Sequence, residues 1–401
     1  MSIFWNKRIS GLSPYVPGEQ PKDRKFIKLN TNENPYPPSP NVVKAILSQL
    51  SAADNGAEHG GAEHSPDGAL SFRGLAECSG ESLRLYPDPL CSDFREAAAA
   101  AYGVKKEQVF PGNGSDEVLA FAFGAFFESG EDSPGKAVLF PDITYSFYPV
   151  YARLWNVPYR DVALTETFSI RVEDYLVFSG GVILPNPNAP TGRALSFGNS
   201  PREGLRAIVE YQLAHNRVVI VDEAYAAFGA ESAVPFINRY PNLLTVHTLS
   251  KSASLAGLRA GFAIGSEELI EGLFRIRDSF NSYTMDRLAL AAAAAAVADK
   301  PYYDGINKKV IATRERTAAA LTAMGFEVIP SKANFLFIRR PEAGGTRRTG
   351  GARLLAALRT RGILVRHFNR PRIADYLRVS VGTDADMDAF LEALKDILER
   401  E

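Results

Sequence analysis

The sequence predicts an α/β protein with a large domain, whose mostly parallel central sheet is flanked by helices, and a smaller α+β domain. Three observations carry this reading. Short β-branched runs alternate with helix-period segments through the middle of the chain, the order that parallel strands need because each return crossing takes a helix. From about Asp286 the texture changes to a long helix followed by a strand–helix–strand–strand–helix pattern. A length of 401 residues exceeds one small domain and makes two the prior.

In order, residues 138–140, 182–184, 218–221, 243–246 and 262–264 read as strands, and 117–127 and 204–215 carry apolar positions at helical spacing. Residues 286–299 predict a helix that continues past Pro301 as 308–324. Strands are then expected at 335–338, 363–365 and 376–381, and a helix at 352–361. The end reads as an amphipathic helix over 384–400, capped by Thr383 with acids in its first turn.

Two stretches depart from that order. Residues 51–79 are poor in large apolar side chains and contain a near-repeat, Gly56-Ala-Glu-His-Gly60 then Gly61-Ala-Glu-His-Ser65, which reads as a mobile insertion. His59 and His64 with Glu58 and Glu63 have metal-ligand chemistry, but nothing rigid orients them, so a solvated loop is expected and no metal. Residues 341–351 read as an exposed basic turn.

Composition narrows the class. The chain is 46% hydrophobic and 23% charged with a net charge of −1, which recommends neither nucleic acid nor an anionic membrane as partner. Cys78 and Cys91 are the only cysteines, so a disulfide framework is not expected. Met1-Ser-Ile-Phe-Trp-Asn6 lacks a basic region followed by an apolar core, and the alanine-rich 288–298 is too short to span a membrane. A cytoplasmic protein is expected.

The chemistry concentrates at strand ends. Thr248-Leu-Ser-Lys-Ser-Ala-Ser-Leu-Ala-Gly-Leu-Arg-Ala-Gly-Phe262 follows an apolar strand and sets Lys251 among hydroxyl residues. A partly desolvated lysine amine can form a Schiff base with an aldehyde, and Ser250 and Arg259 are natural phosphate ligands. Pyridoxal phosphate carries both groups. Asp222 ends the strand at 218–221; it would pair with a pyridinium nitrogen, or cap the next helix. Asn186-Pro-Asn-Ala-Pro-Thr-Gly192 follows a third strand, where an asparagine amide could bond a ring hydroxyl or simply shape a turn. Gly112-Asn-Gly-Ser-Asp-Glu-Val118 opens a helix; its amides suit an anion, or Ser115 is an N-cap. Tyr145 suits stacking on a flat ring or the core.

Taken together and in this order, these motifs resemble the fold-type I pyridoxal-phosphate aminotransferases. Leu29-Asn-Thr-Asn-Glu-Asn-Pro-Tyr36, Leu83-Arg-Leu-Tyr-Pro-Asp88, Ile363-Leu-Val-Arg-His-Phe368 and Leu377-Arg-Val-Ser-Val-Gly382 make the chain similar to the histidinol-phosphate branch, over nearly its whole length except 51–79. The resemblance implies an N-terminal arm and part of a small domain at 1–50, an insertion at 51–80, a large cofactor domain at 81–290, and the rest of the small domain at 291–401. It implies that Lys251 carries the cofactor as an imine and shuttles the proton, Asp222 pairs with the pyridinium nitrogen, Tyr225 bonds the phenolic oxygen and Tyr145 stacks on the ring. Gly114, Ser115, Asp116, Ser250 and Arg259 would surround the phosphate, with Thr248 nearby, and Tyr86 would reach it from a neighbouring subunit, making a homodimer with shared sites. Arg378 would clamp a substrate α-carboxylate, while Tyr36 and Arg366 would take a distal phosphate. One position departs: the family's asparagine before Pro-Thr-Gly is Ala189 here, so either Asn188 supplies that amide, which is the expectation, or the phenolic oxygen relies on Tyr225 alone. The implied reaction is ping-pong transamination of L-histidinol phosphate with 2-oxoglutarate. An aromatic-amino-acid aminotransferase and a phosphothreonine-type decarboxylase share the same cofactor residues.

Overall fold

A computed structural model of the chain describes residues 4–15, 18–21, 24–51, 80–131, 135–200, 202–341 and 350–400. The expected insertion lies outside the described residues from 52 to 79, with both of its histidines, as does the expected basic turn from 342 to 349. The chain opens with α1 (Lys7–Ser10), β1 (Ile27–Leu29), α2 (Pro40–Leu50) and α3 (Ser92–Tyr102). A β/α alternation follows: β2 (Val109–Gly112), α4 (Ser115–Phe126), β3 (Val138–Pro141), α5 (Tyr148–Trp155), β4 (Tyr159–Val162), β5 (Gly181–Pro185), α6 (Gly204–Ala214), β6 (Val219–Asp222), β7 (Leu243–Thr248), β8 (Gly261–Ile264) and α7 (Glu267–Asp278). The last third holds α8 (Arg287–Ala298), α9 (Lys300–Ala323), β9 (Glu327–Ile329), β10 (Phe335–Arg339), α10 (Gly351–Thr360), β11 (Ile363–His367), β12 (Leu377–Ser380) and α11 (Asp384–Glu399).

Seven strands form one sheet in the order β2-β8-β7-β6-β5-β3-β4. Its pairings are parallel except those of β8, which runs antiparallel to β7 and β2. The reason is the connection: no α-helix crosses over between β7 and β8, and Leu249 N–H already donates to Ala260 O at 3.0 Å as the chain turns back. Every residue of β3, β5, β6, β7 and β8 is buried, which explains why these strands are dominated by apolar residues. Side chains still alternate between faces. Val182, Leu184, Val219 and Val221 pack with Phe94 of α3, Ile208 of α6 and Ala292 of α8. Ile183 and Ile220 pack on the opposite face with Leu119 of α4, Ala152 of α5 and Leu273 of α7.

The second sheet has five strands in the order β1-β11-β12-β10-β9. The N-terminal segment joins it through β1, which pairs in parallel with β11 in the register Ile27↔Ile363. Leu29, Leu336, Val365 and Val379 are buried in it beneath Leu354 of α10 and Phe390 of α11. Thr383 caps α11, its side chain accepting from Asp386 N–H while the Asp386 carboxylate accepts in return. One expectation is corrected here: the helix at 286–299 does not run on. It stops at Asp299 (φ −95°, ψ 50°), and α9 starts afresh with Pro301 in its first turn, where the missing N–H costs nothing. Among the described residues no helix is long and apolar enough to cross a membrane.

Candidate active site

The carboxyl ends of β5, β6 and β7 open into a cavity of about 450 Å³, closed on its other side by the N-terminal segment and by β11 and β12. Ligands of open α/β sheets bind outside the carboxyl ends of strands, and this cavity lies there.

Asp222 is the last residue of β6 and is buried. Its Oδ2 accepts from the Tyr148 hydroxyl at 2.9 Å and its Oδ1 from Ala224 N–H at 3.1 Å. Burial pushes the carboxyl up to about 6 against the pull of these two donors. Lys251 follows β7, and its Nζ donates to Thr31 O at 3.0 Å. Burial, and then the Arg378 guanidinium, pull its ammonium down to about 8. A buried acid and an easily deprotonated amine therefore face one cavity, as proton transfer requires.

Glu223, next to Asp222, points to the other side. It accepts from Ser232 Oγ and Ala233 N–H, both at 2.6 Å, and burial raises its carboxyl to about 7. His247 Nδ1 lies 3.9 Å away, but burial lowers that imidazole to about 3, so it gives no positive charge. A carboxyl raised in the folded state contributes stability that is full below its unfolded value near 4.5 and is lost as pH rises through about 7. The contribution is about 3 kcal/mol. Glu223→Gln is expected to flatten the fall in apoprotein denaturation midpoint between pH 5 and pH 8; an unchanged slope would show that the carboxyl is not the source.

An anion cradle lies at the start of α4. Gly114 is the N-cap with φ 84°, and a Cβ there would come within 2.8 Å of Arg259 Nη2. A Cβ on Gly261 would strike the Ser115 amide nitrogen. Ser115 is thus the first helical residue and not the cap, and no side chain caps the helix amides. The Ser250 hydroxyl lines the cavity and is buried without a partner among the described residues. Arg259 Nη2 donates to Asp116 Oδ2 at 3.0 Å, and the Tyr145 hydroxyl donates to Asp116 Oδ1 at 2.7 Å. Thr248 Oγ1 accepts from Ser250 N–H at 3.2 Å.

Arg378 on β12 and Arg366 on β11 stand directly opposite each other, and both line the cavity. Like charges at facing positions destabilise a sheet unless an anion joins them. Arg378 Nη2 donates to Asn30 O at 2.8 Å, while its Nε is buried without a partner among the described residues. The Tyr225 hydroxyl also lines the cavity and accepts from Asn32 Nδ2 at 3.0 Å.

Three expected side chains are not brought into the cavity. Asn188 uses its amide hydrogens on Ile143 O (3.1 Å) and Thr191 Oγ1 (2.9 Å), and Ala189 lines the cavity in its stead. Tyr36 packs with Phe335 and Val381, with Lys309 Nζ 5.5 Å from its ring, and does not line this cavity. Tyr86 is 78% exposed and stacks on Tyr283 at 4.5 Å. Conversely, Tyr15, Thr31, Asn32 and Glu33 line the cavity, and Tyr148 holds Asp222 from behind, although sequence reasoning gave none of them a role.

The family model for aminotransferase class I and II matches residues 24–394. The chain belongs to that family. It is 51% identical over 400 residues to histidinol-phosphate aminotransferase 1 of Bordetella parapertussis, covering 99% of each chain. It is 48% identical over 398 residues to the histidinol-phosphate aminotransferase of Clostridium acetobutylicum, covering 99% of this chain and all of that one. Its fold matches the crystal structure of the Sinorhizobium meliloti histidinol-phosphate aminotransferase in complex with pyridoxal-5'-phosphate, at TM-score 0.79 and 22% identity over 100% and 99% of the two chains. It also matches the Thermus thermophilus aspartate aminotransferase with maleate, at TM-score 0.72 and 18% identity over 97% and 98%. The aminotransferase cofactor is pyridoxal phosphate, and the residues present fit it. An unpartnered Ser250 hydroxyl and uncapped α4 amides stand beside Arg259 for the phosphate, a carboxyl for a ring nitrogen, and a deprotonable amine for an aldehyde.

Proposed function

We propose that this aminotransferase interconverts L-histidinol phosphate and 2-oxoglutarate with imidazole-acetol phosphate and L-glutamate, a step of histidine biosynthesis. The observation that carries this reading is the facing pair Arg366 and Arg378 beside Lys251, which suits a doubly charged anion, together with full-length relatives bearing that name. L-histidinol phosphate has no α-carboxylate; its phosphate sits on the carbon next to the amine-bearing one, within reach of both guanidiniums. Glutamate presents two carboxylates to the same pair.

Bound pyridoxal phosphate supplies an aldehyde to take up the amino group and a ring to accept electrons released at the substrate α-carbon. The protein does the rest. Lys251 would hold the cofactor through its amine and would take up and return the substrate α-proton. Asp222 would keep the ring nitrogen protonated, Tyr225 would donate to the phenolic oxygen, and Tyr145 would cover the ring. Ser115, Ser250 and Arg259 would take the phosphate, Gly114 would leave room for it, and Asp116 and Thr248 orient Arg259 and Ser250. Arg378 clamps the α-carboxylate of glutamate and Arg366 the distal anion, a task for which a guanidinium's paired donors are suited.

A homodimer completes the reading. Tyr86 shares a surface groove with Leu83 and Leu85, all three exposed, which is consistent with a second copy covering them, and from there Tyr86 would reach the partner's phosphate. The site has no need of a membrane, and a cytoplasmic location is proposed.

Kinetics on L-histidinol phosphate, phenylalanine and phosphothreonine test the assignment. The highest kcat/KM is expected for the first; preference for phenylalanine would make the enzyme an aromatic aminotransferase, and release of carbon dioxide from phosphothreonine would make it a decarboxylase. Arg366→Ala is expected to lower kcat/KM for both L-histidinol phosphate and glutamate by about 10–100-fold, the effect of losing a charge-assisted hydrogen bond. Full activity on both would remove Arg366 from the site.

A further inference from the structure

Hydrogen-bond polarity around Tyr225 gives Asn32 a task that the loop at 186–192 leaves undone. Where an asparagine amide was expected to face the phenolic oxygen of the cofactor stands Ala189, and both amide hydrogens of Asn188 are used elsewhere. Asn32 Nδ2 donates to the Tyr225 hydroxyl oxygen at 3.0 Å. The amide cannot be turned round. Asn32 N–H donates to Ser380 Oγ at 2.8 Å, which leaves the single Ser380 proton for Asn32 Oδ1, also at 2.8 Å. The carbonyl therefore faces Ser380 and the NH₂ group faces Tyr225. Asn334 Nδ2 fixes the backbone by donating to Asn32 O at 2.9 Å. Residue 32 has φ 57°, a left-handed conformation that asparagine tolerates and most residues resist. A phenol has one proton; with its oxygen already accepting from Asn32, that proton is free to point into the cavity.

We infer that Asn32 is a positioning residue of the transamination site: it fixes Tyr225 as a donor toward the cofactor's phenolic oxygen and so offsets the amide missing at Ala189. The inference rests on the pyridoxal-phosphate reading of the cavity. The chain Ser380–Asn32–Tyr225 also joins the two sheets, since Ser380 ends β12 and Tyr225 follows β6. The charged and titratable groups facing Tyr225 are Asp222 at the end of β6, Arg378 from β12, Tyr15 from the N-terminal segment, Tyr145 just before α5 and Tyr148 at its start.

Asn32→Asp tests this, because it keeps the size and the left-handed backbone while replacing a donor by an acceptor that draws the Tyr225 proton away from the cavity. The full-length protein carrying it is expected to bind pyridoxal phosphate about 10-fold more weakly, the effect of one lost hydrogen bond. The pH at which the visible band of the bound cofactor changes is expected to move upward, and kcat to fall with little change in KM for glutamate. Adding Ala189→Asn to this variant is expected to restore cofactor affinity. If Asn32→Asp does not fold by circular dichroism, Ser380→Ala, which frees the amide to rotate, is read in the same way. Unchanged cofactor affinity and an unmoved band transition in the folded variant would overturn the inference while leaving the function intact. A wild-type protein that binds no pyridoxal phosphate would instead overturn the reading beneath it.

Discussion

Replacing Lys251 with alanine is expected to lower kcat for glutamate by more than about 10⁴-fold, because one amine serves both as the attachment point and as the proton carrier. Its position leaves little redundancy. Nζ is held by Thr31 O at 3.0 Å, and the neighbouring cations, Arg259 and Arg378, carry guanidiniums in place of an amine that could form an imine. Lys251→Arg is therefore expected to fail as badly as the alanine variant, despite keeping the charge. The depressed ammonium adds a pH signature. Below about 8 the charged form dominates, so cofactor capture by the apoprotein should speed up as pH rises and level off above about 8. An unshifted lysine would keep gaining toward 10.5. Arg378→Gln removes one cause of the depression and should move the inflection upward. Single-turnover rates with glutamate measure the first effect; a Lys251→Ala enzyme within tenfold of wild type would exclude the assigned role.

Asp222→Asn is expected to lower kcat by roughly 10³-fold, in the range found when one preorganised electrostatic partner of a reacting group is removed. The amide is isosteric and can still accept from Tyr148, yet it cannot pair with a protonated ring nitrogen. Stability should move the other way. Burial already holds the Asp222 carboxyl up at about 6, so at pH 8 a charged, unpaired group is traded in the apoprotein for a neutral one. Loss of activity with an equal or higher denaturation midpoint would separate catalysis from folding; loss of both in parallel would point to a structural role.

The parts of the fold legible in the sequence were those where local pattern and burial agree. β3, β5, β6, β7 and β8 are mostly apolar because both faces are covered, and Asp222, Ser250 and Lys251 stand out because polar residues end or follow such runs. β4 escaped notice because Tyr-Arg-Asp-Val at a half-exposed edge carries no apolar signal, and β1 and β9 have three residues each. The site residues that were missed depend on long-range register. Thr31 and Asn32 reach the cavity because β1 pairs with β11, 336 positions away from Ile27 to Ile363, which no local spacing encodes. Tyr148 reads as a helix residue, and its hydrogen bond to Asp222 appears only once α5 packs on the sheet. Asn188 and Ala189 are adjacent, and only the path of the loop decides that the alanine and not the asparagine faces the ligand.

Reduction of the pyridoxal-phosphate-loaded protein with borohydride, followed by peptide mass mapping, tests the assignment most directly. One cofactor-sized mass increment is expected per chain, on the peptide containing Lys251, and it should be absent from Lys251→Ala. Label on another lysine, or none on a protein that still turns over glutamate, would contradict it.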